Sequence, residues 1–586
     1  MERKNAWNTY GKREISELEE LNSNYIDFLS DCKTERECVK ETVRQAREKG
    51  YKSLEEVIEK GQPLKQGDKV YAVCMNKTVA LFNIGKIPME QGMNILGAHI
   101  DSPRMDIKQN PLYESNNMAY LDTHYYGGIK KYQWVTLPLA IHGVVVKKDG
   151  TKVEVNIGEK DTDPVFCVTD LLIHLAGQQM EKNAAKVIEG ENLDILVGSI
   201  PLEDKEKDAV KEGIIGILKN TYEMEEEDFM SAELEVVPAG RAREMGFDRS
   251  MIMAYGQDDK VCAYTSLAAM LETDKIDKTA CCLLVDKEEI GSVGATGMQS
   301  KFFENTVAEL LNLNGDYNEL KLKRCLAHSR MLSSDVNAAF DPLYSDVFKN
   351  NSSSFLGSGV VFNKFTGSRG KSGSNDANAE YLAVLRNIMD NHNVHFQMSE
   401  LGKVDAGGGG TIAYIMSLYG MEVIDCGVAV LNMHAPYVLW VAMGMQENPD
   451  ALKGPGTYND YNLDTYLQAG YDSIEAAEVA KGDIRQCLAK WQEDPVAAVT
   501  FLKEKLLIQW IEPTYCSFNQ TRYQYRPQGW VEDLYTGQAN ERALAFLNRF
   551  QGMVYLAVFG YYLRILLGKL KGVQVLPGII FLGGFF

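Results

Sequence analysis

A small set of side chains carries the residue types that metal-assisted hydrolysis needs, and each stands where an apolar, strand-like run gives way to a turn. They are His99 in "NILGAHIDSP", Asp258 in "AYGQDDKVCAY", the neighbours Glu288 and Glu289 in "LLVDKEEIGS", Asp335 in "MLSSDVNAAFDP" and His434 in "VAVLNMHAPY". Strand ends in an open α/β sheet are where ligands gather. A lone histidine after an apolar strand is more often a hydrogen-bonded core residue, so the signal lies in the set and not in any member. Two divalent metals about 3.5–4 Å apart need a shared carboxylate, terminal nitrogen and oxygen donors, and room for a bridging water that is a nucleophile at neutral pH. A further carboxylate must carry a proton from that water to the leaving amine, and the adjacent glutamates supply one ligand and one base. In "HID", Asp101 is placed to accept the other ring N–H of His99 and so hold its tautomer.

These side chains need a scaffold. Consecutive residues on a regular strand point to opposite faces, so Glu288 and Glu289 can serve one site only where the strand ends, and the following "IGSVGATG" suits such a bend. From "NILGAHI" onward, apolar runs alternate with helical patterns, as in "CCLLVDKEEIGS" before "KFFENTVAELLNL" and "AEYLAVLRNIMD" before "VHFQMSE". That alternation predicts an α/β fold, a mixed sheet flanked by helices. Residues 1 to about 90 read as helices followed by a short strand near "KTVALFNIG". Between 108 and 243 the texture becomes β-prone, which predicts an inserted β-rich domain between the catalytic segments 1–107 and 244–437, its ends close to two site segments.

The bulk properties narrow the field. A chain of 586 residues is expected to form two or three domains. Its 45% hydrophobic and 24% charged residues are ordinary for a globular protein, and a formal net charge of -20 argues against nucleic acid as the main partner. The opening "MERKNAWNTYGKREISELEE" lacks an apolar signal core, so a cytoplasmic location is expected. The 11 cysteines form no CxxC pair and read as buried, reduced thiols.

With these motifs in order, residues 1 to about 437 resemble the aspartyl-aminopeptidase-like family, metallopeptidase family eighteen, whose members are co-catalytic zinc exopeptidases. The resemblance implies a zinc-exopeptidase fold, two divalent metal ions per subunit with zinc the expected metal, and peptide substrates with a free N-terminus. It implies that His99, Asp258 and Asp335 hold one metal and that Asp258, Glu289 and His434 hold the other. Asp258 would be the bridge in preference to Asp259, and Glu288 the general base and acid. The insert would drive dimer formation, with dimers assembling into a dodecamer. His174 in "TDLLIHLAGQQ" matches a histidine that the family lends to a neighbouring subunit's site; on residues alone it reads equally as an interface histidine.

Two departures bear on specificity. Asn337 stands where the family commonly has a second histidine, and Asn363 aligns with the lysine that reads an acidic first residue, leaving Lys364 and Arg369 as nearby substitutes. A neutral or mixed preference is therefore expected. "DAGGGG", containing Gly408, reads as a phosphate nest or a tight turn between strand and helix, and the resemblance implies that it lets backbone approach the substrate; "TGSRGKS" carries little weight as a phosphate loop because its required earlier glycine falls on Phe365. His124, His142, His328, His392 and His395 lack ligand-like partner spacing and read as structural.

The sequence beyond about 438 has another character. A turn-rich connector leads into helical patterns beginning near Asp472 and Asp494, then into apolar stretches at 551–567 and 573–586. This part resembles the end of bacterial polytopic membrane proteins of the glycosyltransferase type. A seam near Tyr437 is expected, from a fusion or a misjoined gene, with membrane contact only through this unrelated helical tail. The second functional reading is accordingly a non-catalytic membrane-associated scaffold carrying a relic peptidase domain.

Overall fold

The run "CCLLV" lies in the strand Ala280–Val285, buried from Cys281 onward. A strand covered on both faces must be apolar throughout. Cys281 and Leu283 face one core, with Phe303, Val307 and Met416. Cys282 and Leu284 face the other, with Tyr25, Phe28 and Leu267. The computed structural model describes residues 5–405 and 407–441.

This strand belongs to a nine-stranded mixed sheet in the spatial order Lys52–Ser53, Lys69–Cys74, Thr78–Asn83, Ala280–Val285, Asn94–His99, Arg330–Ser333, Glu422–Gly427, Val360–Asn363 and Phe396–Ser399. The four neighbours from Ala280–Val285 to Glu422–Gly427 run parallel. Their carboxyl ends therefore open at one edge, the place where such sheets bind ligands. Register lines up that edge: Val285 pairs with His99, Gly97 with Ser333, and Ser333 with Asp425. Helices cover both faces, among them Glu35–Glu48, started by a reciprocal cap between Thr34 and Glu37, and Phe302–Leu313. The α/β expectation with a mixed, helix-flanked sheet describes this arrangement.

A second sheet holds the β-prone middle of the sequence. Its six antiparallel strands run in the order Lys152–Ile157, Leu139–Val146, Ala232–Pro238, Arg104–Ser115, Met118–Tyr126 and Ile195–Gly198. Trp134, Met105 and Leu234 centre a hydrophobic core of its own.

A third sheet corrects the expected seam. Its order is Arg243–Met245, Met251–Ala254, Val438–Val441, Ala429–Leu431 and Asn337–Ala338. Val438–Val441, placed by sequence in an unrelated tail, is thus the middle strand, antiparallel to a neighbour on each side. Val438 is buried, and Trp440 meets Tyr25 edge-on at 5.5 Å. The apolar run that looked like the start of membrane-type sequence is a strand filling the core. The rest of the expected tail, including 551–567 and 573–586, lies outside the described residues. Among the described residues no helix is long and apolar enough to cross a membrane.

Candidate metal centre

His99 is the last residue of the strand Asn94–His99 and is 2% exposed. Its Nδ1 lies 3.0 Å from the Asp101 carbonyl oxygen and 3.3 Å from Asp101 Oδ1. A carbonyl can only accept, which puts the proton on Nδ1 and leaves the Nε2 lone pair facing the site. Nε2 is 3.3 Å from Asp258 Oδ1, 3.9 Å from Glu288 Oε2 and 4.0 Å from Asp335 Oδ1.

Asp258 stands at the start of the helix Gln257–Glu272, where its own backbone and that of Asp259 are not yet helical. While Oδ1 of Asp258 faces His99, Oδ2 lies 3.4 Å from His434 Nε2. His434 is also 3.7 Å from Glu289 Oε2, and its Nδ1 donates to the Gly128 carbonyl at 2.8 Å. That bond again leaves Nε2 free as a ligand. His434 sits on a left-handed turn, with φ of 63°, between the strands Ala429–Leu431 and Val438–Val441.

The strand Ala280–Val285 ends before the glutamates, as their adjacency required, and Glu288–Ile290 is a single tight helical turn. Asp101 holds that turn from below. Its Oδ1 accepts the Glu288 backbone N–H at 3.1 Å, and its Oδ2 accepts the Glu289 N–H at 3.2 Å and the Tyr126 hydroxyl at 2.8 Å. Sequence assigned Asp101 only to His99; its larger task is to fix the backbone that aims both glutamates. Tyr126 was missed, because nothing in local sequence links a strand of the inserted sheet to this turn.

Electrostatics show what the cluster lacks. Burial pushes the Glu288 carboxyl up to about 7, with the charges of Asp101 and Asp258 adding to it and His99 opposing. Burial likewise raises Glu289 and Asp335 well above the usual carboxylate range and lifts Asp259 to about 8. His99 moves the other way from what burial alone would do, because Asp101 and Asp258 stabilise its charged form. Glu289 Oε1 and both Asp259 carboxylate oxygens are buried without a hydrogen-bond partner. Among the described residues no lysine or arginine makes an ion pair with Asp258, Glu288, Glu289 or Asp335. Crowded carboxylates facing two imidazole lone pairs, with no cationic side chain among them, are a donor set suited to divalent metal. Ligand atoms of His99, Asp258 and Glu289 lie within 4.8 Å of one another, as do those of His99, Glu288 and Asp335.

A cavity of about 750 Å³ opens from the cluster and is lined by Asp258, Glu288, Glu289, Asp335 and His434 at one end. Arg369 and Gly408 also line it, as does Asn363, whereas Lys364 does not. Lys371 and Lys403 line it as well and were not singled out in sequence. Lys371 is spoken for by Asp376 at 3.1 Å and lies over the Phe365 ring; Lys403 donates to the Asp346 carbonyl. Gly408 is required where it stands, since with φ of +127° a Cβ would meet the Gly367 carbonyl oxygen at 2.4 Å. Asn337 donates to Asn363 Oδ1 at 3.1 Å. His174 is exposed, away from this cavity's lining, on a loop whose Leu171, Leu172, Ile173 and Leu175 are exposed too. Of the histidines read as structural, His142 is buried between Glu37 at 2.8 Å and Glu159 at 3.0 Å.

The model of the family described as aminopeptidase I zinc metalloprotease (M18) matches residues 28–454. A probable M18 family aminopeptidase 1 of Clostridium acetobutylicum is 62% identical over 437 residues, covering 74% of this chain and 94% of that protein. The crystal structure of aminopeptidase I from the same organism superimposes with a TM-score of 0.71 at 59% identity, over 76% of this chain and 96% of that one. The Thermotoga maritima M18 aminopeptidase structure gives 0.72 at 44% identity with the same coverage. At 19% identity, a structure of the S. cerevisiae mApe1 dodecamer shares the fold, with a TM-score of 0.59 over 72% of this chain and 93% of that one.

Proposed function

Because this chain belongs to the M18 aminopeptidase I family of zinc metalloproteases, and is therefore a metal-dependent aminopeptidase, we propose that it works through two zinc ions held by the cluster at the sheet edge. The relic-scaffold alternative finds no support in these relatives, which are aminopeptidases. His99, Asp258 and Asp335 would hold one ion and Asp258, Glu289 and His434 the other. The observation that carries this reading is Asp258 itself: its two carboxylate oxygens face two different imidazoles, at 3.3 and 3.4 Å.

Bound zinc supplies Lewis-acid polarisation of the scissile carbonyl and makes water acidic enough to ionise near neutral pH. The chain's own residues do the rest. Glu288 takes the proton from the attacking water and delivers it to the leaving amine, a role suited to a carboxyl that burial has moved toward neutrality. Asp101 keeps the Glu288 backbone in place and the His99 ring in the tautomer that presents Nε2. The cavity takes the first residue of the peptide, Gly408 allowing backbone to lie close. A neutral or mixed first-residue preference follows, because Lys371 and Lys403 are already engaged and Asp425 and Glu400 line the same space; among the described lining residues Arg369 is the cation not so engaged.

We further propose that the second sheet, with its exposed apolar loop around His174, is the self-association module and that the full assembly is a dodecamer built from dimers. Exposed apolar residues grouped in this way mark interaction surfaces.

Metal analysis of the full chain together with an aminoacyl-anilide panel tests the reading. Two zinc ions per chain, activity lost to chelator and restored by zinc, and faster release of leucine than of aspartate are expected. One ion per chain at full activity would overturn the two-metal assignment, and clear preference for aspartate would overturn the specificity.

A further inference from the structure

The inserted sheet reaches the metal centre at the end of its strand Met118–Tyr126. Tyr126 is 8% exposed, and its hydroxyl donates to Asp101 Oδ2 at 2.8 Å. Its ring lies 3.9 Å beneath the Arg104 guanidinium, which faces it across the antiparallel pair and is itself held by Asp106 at 2.8 Å and Glu235 at 3.1 Å. Gly127 follows with φ of +75°, its backbone so close to Glu289 that a Cβ would stand 3.4 Å from that residue's own Cβ. The Gly128 carbonyl then accepts the Nδ1 proton of His434, and a Cβ on Gly128 would stand 3.3 Å from that nitrogen. Three successive residues thus touch the support of the base, one assigned ligand and another.

We propose that Tyr126, Gly127 and Gly128 form a positioning strap for the reaction, so that a segment of the inserted sheet sets the geometry of both glutamates and of His434. The inference rests on the two-zinc reading above. The Asp101 carboxylate is restrained by three donors, the Glu288 and Glu289 N–H groups and the Tyr126 hydroxyl, while its main-chain carbonyl takes the His99 Nδ1 proton. A carboxylate so saturated cannot turn about its Cβ–Cγ bond without breaking a bond to the turn it supports. Loss of the phenolic hydroxyl leaves Oδ2 with the Glu289 N–H alone, and the turn carrying the base loosens while the ring still packs under Arg104. Gly128 acts at the other end: its carbonyl selects the His434 tautomer, and its lack of a side chain leaves room for the ring, since a Cβ there would stand 3.3 Å from Nδ1 and 3.6 Å from Cε1. Outer partners of metal ligands commonly account for 10- to 100-fold of affinity or rate.

The test compares full-length Tyr126→Phe and Gly128→Ala with wild type and with Tyr125→Phe, a change on the exposed neighbour. Four quantities are read: kcat and KM on a leucyl anilide, bound zinc against a graded chelator, and melting temperature. For Tyr126→Phe, kcat should fall roughly 10- to 100-fold with KM within about twofold, at a melting temperature near wild type. Gly128→Ala should release one of its two zinc ions at roughly tenfold lower chelator. Tyr125→Phe should match wild type throughout. Wild-type kcat in Tyr126→Phe or wild-type zinc retention in Gly128→Ala would overturn the strap, as would activity lost only in proportion to lost fold. A wild-type enzyme active with fewer than two zinc ions would instead overturn the metal assignment, which separates the two failures.

Discussion

The two histidines of the centre are held in opposite ways. His99 ends a buried strand at the middle of the nine-stranded sheet, is 2% exposed, and is bonded to a residue two positions away. His434 lies on a left-handed turn with a side chain 39% exposed, and its holding bond goes to Gly128, in the part of the chain that carries the inserted sheet. One half of the site is therefore as rigid as the core that carries it, and the other is assembled from segments distant in sequence. If it holds the two ions proposed above, a site built this way should bind one as part of the fold and the other as a more exchangeable partner.

The largest expected effect applies to both halves and anchors the comparison. Glu288→Gln should lower kcat by about 10³-fold or more with zinc content unchanged, measured by steady-state kinetics beside metal analysis. Activity near wild type would remove Glu288 as the base.

Histidine truncation then separates the halves. His99→Ala leaves a buried hole and unpaired acceptors on Asp101, which should cost about 2–4 kcal/mol in a denaturant titration and remove zinc from the buried half. His434→Ala should cost about 1 kcal/mol or less and remove only the second zinc. Equal destabilisation by both would show that the two histidines are held alike. Asp101→Asn should lower kcat roughly 10- to 100-fold, since an amide with one acceptor oxygen cannot accept from all three of the donors that the carboxylate accepts from.

The smallest effect is a pH dependence of the metal-free protein. Glu288 at about 7 and Asp259 at about 8 bind protons more tightly folded than unfolded. Their contribution to stability is complete below the ordinary carboxylate range and is lost as pH rises through those values. His99, also raised, acts in the same direction. Melting temperature after zinc removal should therefore fall between about pH 5 and pH 8, and added zinc should flatten the slope. A slope unchanged by zinc would show that these groups are not where the ions bind.

Much of the centre was legible because its chemistry obeys local rules. Strand ends, adjacent acids and a following glycine-rich bend are visible in one dimension, and the structure gathers His99, Asp258, Glu288, Glu289, Asp335 and His434 at one sheet edge. What sequence missed acts across sheets. Tyr126 and Gly128 have no local signature, since their partners Asp101 and His434 are 25 and 306 residues away. Lys364 follows Asn363 at the end of an extended segment, where successive side chains diverge, and only Asn363 lines the cavity. The supposed seam failed for another reason: "YVLWV" is an uninterrupted apolar run, and such a run has no period by which to tell a covered strand from the start of a membrane segment.

The strand Val438–Val441 also has a consequence in time. It pairs with Met251–Ala254, made nearly two hundred residues earlier, and closes the turn that carries His434. Contacts so distant in sequence form late, because the intervening chain must first be ordered. During synthesis His434 is the last of the proposed ligands to be made. A peptide-bond hydrolase whose site needs His434, as proposed above, would therefore stay incomplete until that turn had been made and closed.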